Sequence, residues 1–217
     1  MTNSERDVVP DVAAYNVYLM ETSYATAVPP RGLCGLESYC KLYPHAHVWF
    51  LVTSQNLDSR TLEELMLIQA AYQNLCVVHF NLNLHFQDTP LLELYHSKKF
   101  NKTSFRIHHL SDLSRLALVY KFGGLYADMD VIALRPVVPA VNFIALRDDK
   151  TGYLTNAIHY MQHHHPMFLS VMKHIWSAHT PSAVRDVVPD VAAYNVYLME
   201  TSYATAVPPR GLCGLER

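Results

Sequence analysis

Along the first 130 residues, runs in which every position is apolar give way to stretches in which apolar positions recur three and four apart. Tyr15 to Met20, His47 to Thr53 and Cys76 to Phe80 are short, aromatic or β-branched, and read as strands; the second is apolar enough to be buried on both faces. Leu33 to Leu42 and Leu62 to Tyr72 carry the helical spacing of one buried face. The turn Pro29-Pro30-Arg31-Gly32 lies between the first strand and the first helix. Leu82 to Thr89 leads into a short helix near Pro90 to Tyr95, and a basic loop, Lys98 to Lys102, follows. Strand and helix in alternation predict a mainly parallel α/β sheet covered on both faces. In such sheets ligands sit beyond the carboxyl ends of the strands.

The stretch Ser111 to Ile132 places chemistry at one of those ends. Ser111 is suited to cap a helix whose buried face is Leu113, Leu116, Ala117 and Tyr120, with Asp112 and Arg115 sharing another face in its first turn. Gly123 and Gly124 can end that helix in a left-handed cap and reverse the chain into the short strand Leu125-Tyr126-Ala127. In an extended continuation Asp128 and Asp130 point to one side and Met129 to the other. Two carboxylates with diphosphate oxygens suit a hard divalent cation such as Mn²⁺ or Mg²⁺.

The unit Ser111-Asp112 with Arg115, followed by Gly123-Gly124, Tyr126, Asp128 and Asp130, resembles the D-x-D sugar-binding region of the glycosyltransferases allied to lactosylceramide 4-alpha-galactosyltransferase and alpha-1,4-N-acetylglucosaminyltransferase. The resemblance runs from about Asn16 to about Lys173 and takes in Glu21-Thr22-Ser23, Cys34 with Glu37-Ser38, Asp88-Thr89-Pro90 and Asn156. It implies a Rossmann-like GT-A nucleotide-diphospho-sugar transferase fold, truncated at its C-terminal side. It also implies that Asp128 and Asp130 hold Mn²⁺ or Mg²⁺ on a UDP-sugar, and that Ser111, Asp112 and Arg115 contact the donor sugar or phosphate. Glu21, Thr22 and Ser23 are then placed at the uracil or ribose and Asn156 near the reacting sugar. From the residues alone, Asn156 reads equally well as a helix N-cap and Glu21-Thr22-Ser23 as a turn after a buried strand.

Composition narrows the field. Half of the 217 residues are hydrophobic, enough for one sizeable core, and 17 basic against 19 acidic residues leave no electrostatic footprint for nucleic acid. Cys34 and Cys40 could pair or remain buried thiols, and no zinc spacing occurs among the four cysteines. His163-His164-His165, with His159, reads as a solvated loop before Pro166 rather than as a metal site. Asn101-Lys102-Thr103 is a glycosylation sequon, meaningful in a secretory compartment. The longest apolar runs are too short to span a bilayer, whereas the family resemblance implies Golgi enzymes held by one N-terminal transmembrane helix.

Residues 6–37 recur without a change as residues 185–216, with unmatched flanks. Perfect identity with abrupt ends predicts a recent duplication or assembly artefact rather than a diverged structural repeat. The expected organisation is a polar tail over residues 1–14, the N-terminal part of a GT-A nucleotide-sugar domain over 15–180, and a surplus duplicate over 181–217.

The function expected is metal-dependent, retaining alpha-1,4 transfer of galactose, N-acetylgalactosamine or N-acetylglucosamine from a UDP-sugar to a glycolipid or glycan. A second reading is a catalytically incomplete fragment that at most binds UDP-sugar, because nothing after Ser177 supplies acceptor-binding segments or a late histidine motif of the family's kind. A third, a haloacid-dehalogenase-type phosphatase, rests on Asp128-Met129-Asp130-Val131 alone; that motif wants a long apolar strand before it, and Asp148-Asp149 follows too closely to be its distant acidic pair.

Overall fold

The computed structural model describes residues 9–99, 104–137, 142–146 and 154–178, and the backbone of 196–200. Its elements in chain order are β1 (Asn16–Glu21), α1 (Pro30–Leu42), β2 (His47–Val52), α2 (Ser59–Ala71), β3 (Leu75–His79), α3 (Leu82–His85), α4 (Leu92–Ser97), α5 (Arg106–Phe122), β4 (Gly124–Ala127), β5 (Asn142–Leu146), β6 (Leu154–Met161), α6 (Pro166–Ala178) and β7 (Val196–Glu200). The strands form one sheet in the order β3-β2-β1-β4-β6-β5-β7. β3, β2, β1 and β4 are mutually parallel, β6 runs antiparallel to both β4 and β5, and β7 is parallel to β5.

The two-residue period of the strands divides the core in two. On one face Tyr18, Trp49 and Tyr126 pack against Leu113 and Leu118 of α5 and Phe168 of α6. On the other, Val17, Leu19, Phe50, Leu125 and Ala127 pack against Leu36 and Tyr39 of α1 and Leu65 and Ile68 of α2. Each side chain of this size, fully buried, contributes about 1.5–3 kcal/mol. β1 is therefore the anchor of the sheet, since Val17, Tyr18 and Leu19 have no exposed surface.

Gly123 and Gly124 are required where α5 meets β4. Their φ values are +66° and +114°, and a Cβ would stand 2.7 Å from the His163 nitrogen at the first and 2.6 Å from the Asn16 oxygen at the second. No L side chain fits either place. Helix starts are set by different means: Asp58 caps α2 by accepting from the Thr61 amide at 2.8 Å, and α1 begins at Pro30, where the missing N–H costs nothing. α1 thus absorbs most of the turn expected at Pro29 to Gly32.

Two expectations are corrected. α5 begins at Arg106, so Ser111 lies inside the helix and does not cap it; its hydroxyl is used by Arg115 instead. Asn156 is not at a helix start but inside strand β6, because the open edge of β4 takes residues 154–161 as an antiparallel partner. For Cys40 the structure decides between the two alternatives left open: it is a buried free thiol and does not pair with Cys34. Strand β5 had no counterpart in the periodicity; it exists by pairing with β6 and β7. Among the described residues no helix is long and apolar enough to cross a membrane. The sequon at Asn101, Asp148-Asp149 and most of the second copy lie outside the described residues.

Candidate functional site

β4 stops at Ala127, and the extended run expected through Asp130 turns instead: the Val131 amide donates to the Asp128 carbonyl at 3.0 Å. The Asp128 amide is held by the Ala157 carbonyl of β6 at 2.8 Å. Met129 packs down on α1, where Gly32 and Gly35 leave room for it; a Cβ at Gly35 would collide with the Met129 carbonyl oxygen. Arg31 Nη2 donates to the Asp130 carbonyl at 3.3 Å, and Ser38 Oγ accepts from the Ala133 amide at 2.9 Å. The loop is thus pinned on both sides, with Asp130 exposed and Asp128 half-buried behind it.

Arg115 gathers the polar residues of this region. Its side chain is buried, and its Nη1 lies 2.8 Å from Asp128 Oδ1 and 3.0 Å from the Asn156 carbonyl. Nη2 donates to Ser111 Oγ at 2.8 Å and stands 3.6 Å from Asp112 Oδ1, which in turn accepts from Asn156 Nδ2 at 2.7 Å. Burial disfavours the guanidinium charge, but Tyr126, Asp128 and Asp112 outweigh it and raise its pKa. For Asp128, burial pushes the carboxyl above the ordinary range while Arg115 and the Tyr126 hydroxyl pull it back. Ser111, Asp112, Arg115, Asp128 and Asn156, which are far apart in the chain, therefore form one connected cluster at the end of β4.

Two members of the cluster had no assigned role in the sequence. Tyr126 belongs to the motif but reads as strand core; its hydroxyl donates to Asp128 Oδ1 at 2.8 Å. The sequence groups His159 with His163-His164-His165 in a solvated loop, and the structure corrects that. It is a buried side chain of β6 whose ring stacks on Tyr126, with centroids 5.2 Å apart. Burial, with the Arg115 cation adding to it, pushes its pKa down to about 3, so the ring is neutral. No sequence signal short of the β4–β6 register identifies it. His163 and His164 are exposed in the turn before α6, whereas His165 is buried. Among the described residues no three His, Cys, Asp or Glu side chains gather to hold a metal.

Glu21, Thr22 and Ser23 leave the carboxyl end of β1, on the same edge of the sheet. Glu21 Oε1 accepts from the Ser23 amide at 2.8 Å, and Thr53 Oγ1 ties the loop to β2 by donating to the Glu21 carbonyl and accepting from the Tyr24 amide, each at 3.2 Å. Beside them opens a cleft of about 510 Å³ lined by Tyr24, Thr53, Asn56, His79, Asn81 and Tyr95 among others. Adjacent strands lie about 4.8 Å apart, so this cleft at the ends of β1 to β3 and the Asp128 cluster at β4 share one edge roughly 14 Å long.

The family defined as the glycosyltransferase sugar-binding region containing DXD motif matches residues 29–152. The chain belongs to this family. Human alpha-1,4-N-acetylglucosaminyltransferase is 31% identical over 161 residues, covering 72% of this chain and 46% of that protein. Mouse lactosylceramide 4-alpha-galactosyltransferase is 26% identical over 209 residues, covering 89% and 57%. The chain spans about half the length of these curated relatives. Among solved structures, PaToxG glycosyltransferase superposes with a TM-score of 0.59 at 12% identity, over 84% of this chain and 65% of that one. The α/β architecture is accordingly of the GT-A type, and family membership sets the phosphatase reading of the D-x-D aside.

Proposed function

We propose that this chain forms the donor-binding part of a metal-dependent, retaining alpha-1,4-glycosyltransferase that moves galactose, N-acetylgalactosamine or N-acetylglucosamine from a UDP-sugar to a glycolipid or glycan end. The observation that carries the reading is the pinned loop at the end of β4, in a chain of the DXD family: Asp130 is exposed, and Asp128 is backed by Arg115 and Tyr126. Asp130, with Asp128 and diphosphate oxygens, suits Mn²⁺ or Mg²⁺; such an ion supplies charge stabilisation for the departing UDP. Glu21, Thr22 and Ser23, beside the cleft, are assigned to the uracil or ribose. Asp112 accepts from a sugar hydroxyl, Asn156 lies by the reacting sugar, and Arg115 orients Asp128 and Ser111. The names of the two relatives support the alpha-1,4 linkage and, through lactosylceramide, a glycolipid acceptor; a Golgi setting is proposed from the family resemblance alone.

The deciding experiment is calorimetry of UDP binding with Mn²⁺, with chelator, and with Asp130→Ala. Binding is expected to need the metal and to weaken at least about tenfold in the variant, the loss of one charged contact. Equal UDP affinity in all three conditions refutes the metal assignment. A second reading, binding of UDP-sugar without transfer, is favoured by the two carboxylates having no third metal-ligating side chain beside them among the described residues. Transfer of the sugar to lactose or lactosylceramide by this chain would exclude it; slow hydrolysis of the UDP-sugar alone would support it.

A further inference from the structure

We propose that Tyr126 and His159 are a positioning pair for the Asp128 carboxylate, with His159 acting chiefly through the Tyr126 ring. The inference rests on the D-x-D reading above and adds to it two residues and their order of action.

Asp128 lies just past the end of β4; its amide is held by the Ala157 carbonyl of β6, but its side chain is partly exposed. What restrains it is a pair of donors that converge on one oxygen: the Tyr126 hydroxyl and Arg115 Nη1 both reach Oδ1 at 2.8 Å. That arrangement fixes the rotation of the carboxylate and leaves Oδ2 for a ligand. The Tyr126 hydroxyl can do this only if its ring is held, and the ring is held from the strands beside it. In register, Tyr126 stands between Tyr18 of β1 and His159 of β6. The Arg115 guanidinium lies 4.8 Å from the Tyr126 centroid, and the imidazole of His159 stacks on the ring at an interplanar angle of 24°.

His159 is itself wedged by Phe168 of α6, edge-on at 5.2 Å, and its Nδ1 lies 3.2 Å from the Asn156 carbonyl that also accepts from Arg115. Its Nε2 has no hydrogen-bond partner within the described protein. The imidazole therefore makes no hydrogen bond to Asp128 itself; it meets the site through the stack on Tyr126 and through the Asn156 carbonyl it shares with Arg115. The stack is the larger contact and the one that bears on the Tyr126 hydroxyl.

The test is a double-mutant cycle on UDP affinity in Mn²⁺, with thermal melts as the control for folding. Tyr126→Phe removes one oxygen and is expected to weaken binding about tenfold, the size of a hydrogen bond to a charged group. His159→Ala is expected to weaken it by a similar factor, and His159→Phe, which retains a stacking ring, by no more than about threefold. In the Tyr126→Phe background His159→Ala should cost no more than about threefold further, since most of its effect passes through the missing hydroxyl and only the Asn156 contact remains to be lost. Additive losses, or wild-type affinity in Tyr126→Phe, overturn the proposal. The metal arm separates the two failures: if wild-type binding needs Mn²⁺ and Asp130 while Tyr126→Phe is silent, the D-x-D reading stands and only the positioning pair falls.

Discussion

Val17–Glu21 and Val196–Glu200 are the same five residues in the same sheet, yet the first stretch is in a central strand and the second forms an edge. β1 lies between β2 and β4, with a six-residue register to β2. β7 pairs with β5 alone over five residues. Both run in the same direction, so their carboxyl ends face the same edge, separated by four strand spacings or roughly 19 Å. Strand propensity is common to both and cannot choose the slot. The connections do: β1 leads directly into α1, whose Gly32 and Gly35 seat the D-x-D loop, and from there into β2. Glu21-Thr22-Ser23 therefore opens onto the cleft, whereas Glu200, the counterpart of Glu21, ends a strand at the far edge of the sheet.

The comparison is broken most severely by proline. Leu19→Pro removes a ladder bond in a strand paired on both sides and should unfold the domain, a cost of at least about 3 kcal/mol. Leu198→Pro, on an edge strand, should leave near-ultraviolet circular dichroism unchanged. Unfolding by Leu198→Pro would make the second copy structural rather than surplus.

Histidine-linked acid sensitivity should reside in the first 180 residues. His85 and His159 are buried with pKa values pushed down to about 3, by burial foremost in each case. Their unfolded values lie near 6.5, so between the two the unfolded chain binds more protons. Their contribution to stability is complete above about pH 6.5 and declines by up to about 2.7 kcal/mol per pH unit as pH falls toward the folded values. The duplicated stretch has no histidine, so removal of residues 185–217 should leave the slope of denaturant stability against pH unchanged.

A glycine pair sharpens the contrast at the site. Gly35→Ala forces a Cβ onto the Met129 carbonyl, and should cost about 1–3 kcal/mol of stability and weaken UDP binding in Mn²⁺. Gly214→Ala, the same change in the second copy, should alter neither. Excising 185–217 altogether should likewise have little effect, with the melting temperature moving by no more than about 2–4 °C, the equivalent of 1 kcal/mol.

Much of this architecture was legible before the structure. β1, β2, β3 and the helices between them lie within a few residues of the periodic runs, because a two-sided sheet with covering helices imposes those periods on its sequence. Gly123, Gly124, Asp128 and Asp130 were equally readable, since a left-handed turn and a paired acidic end leave local marks. Boundaries were less so. α5 extends five residues before Ser111, since that serine bonds to Arg115 and not to the helix start.

The sequence by itself determined the period of each element, the glycine turn, the D-x-D and the presence of two identical copies, all of which depend on neighbours a few positions away. Only the tertiary structure decided that residues 154–161 are a strand, that Asn156 meets Asp112 and that His159 stacks on Tyr126. Those outcomes depend on strand order and register, and pairing across long stretches of chain is governed by the edges and connections that the folded sheet makes available, not by the residues that happen to adjoin.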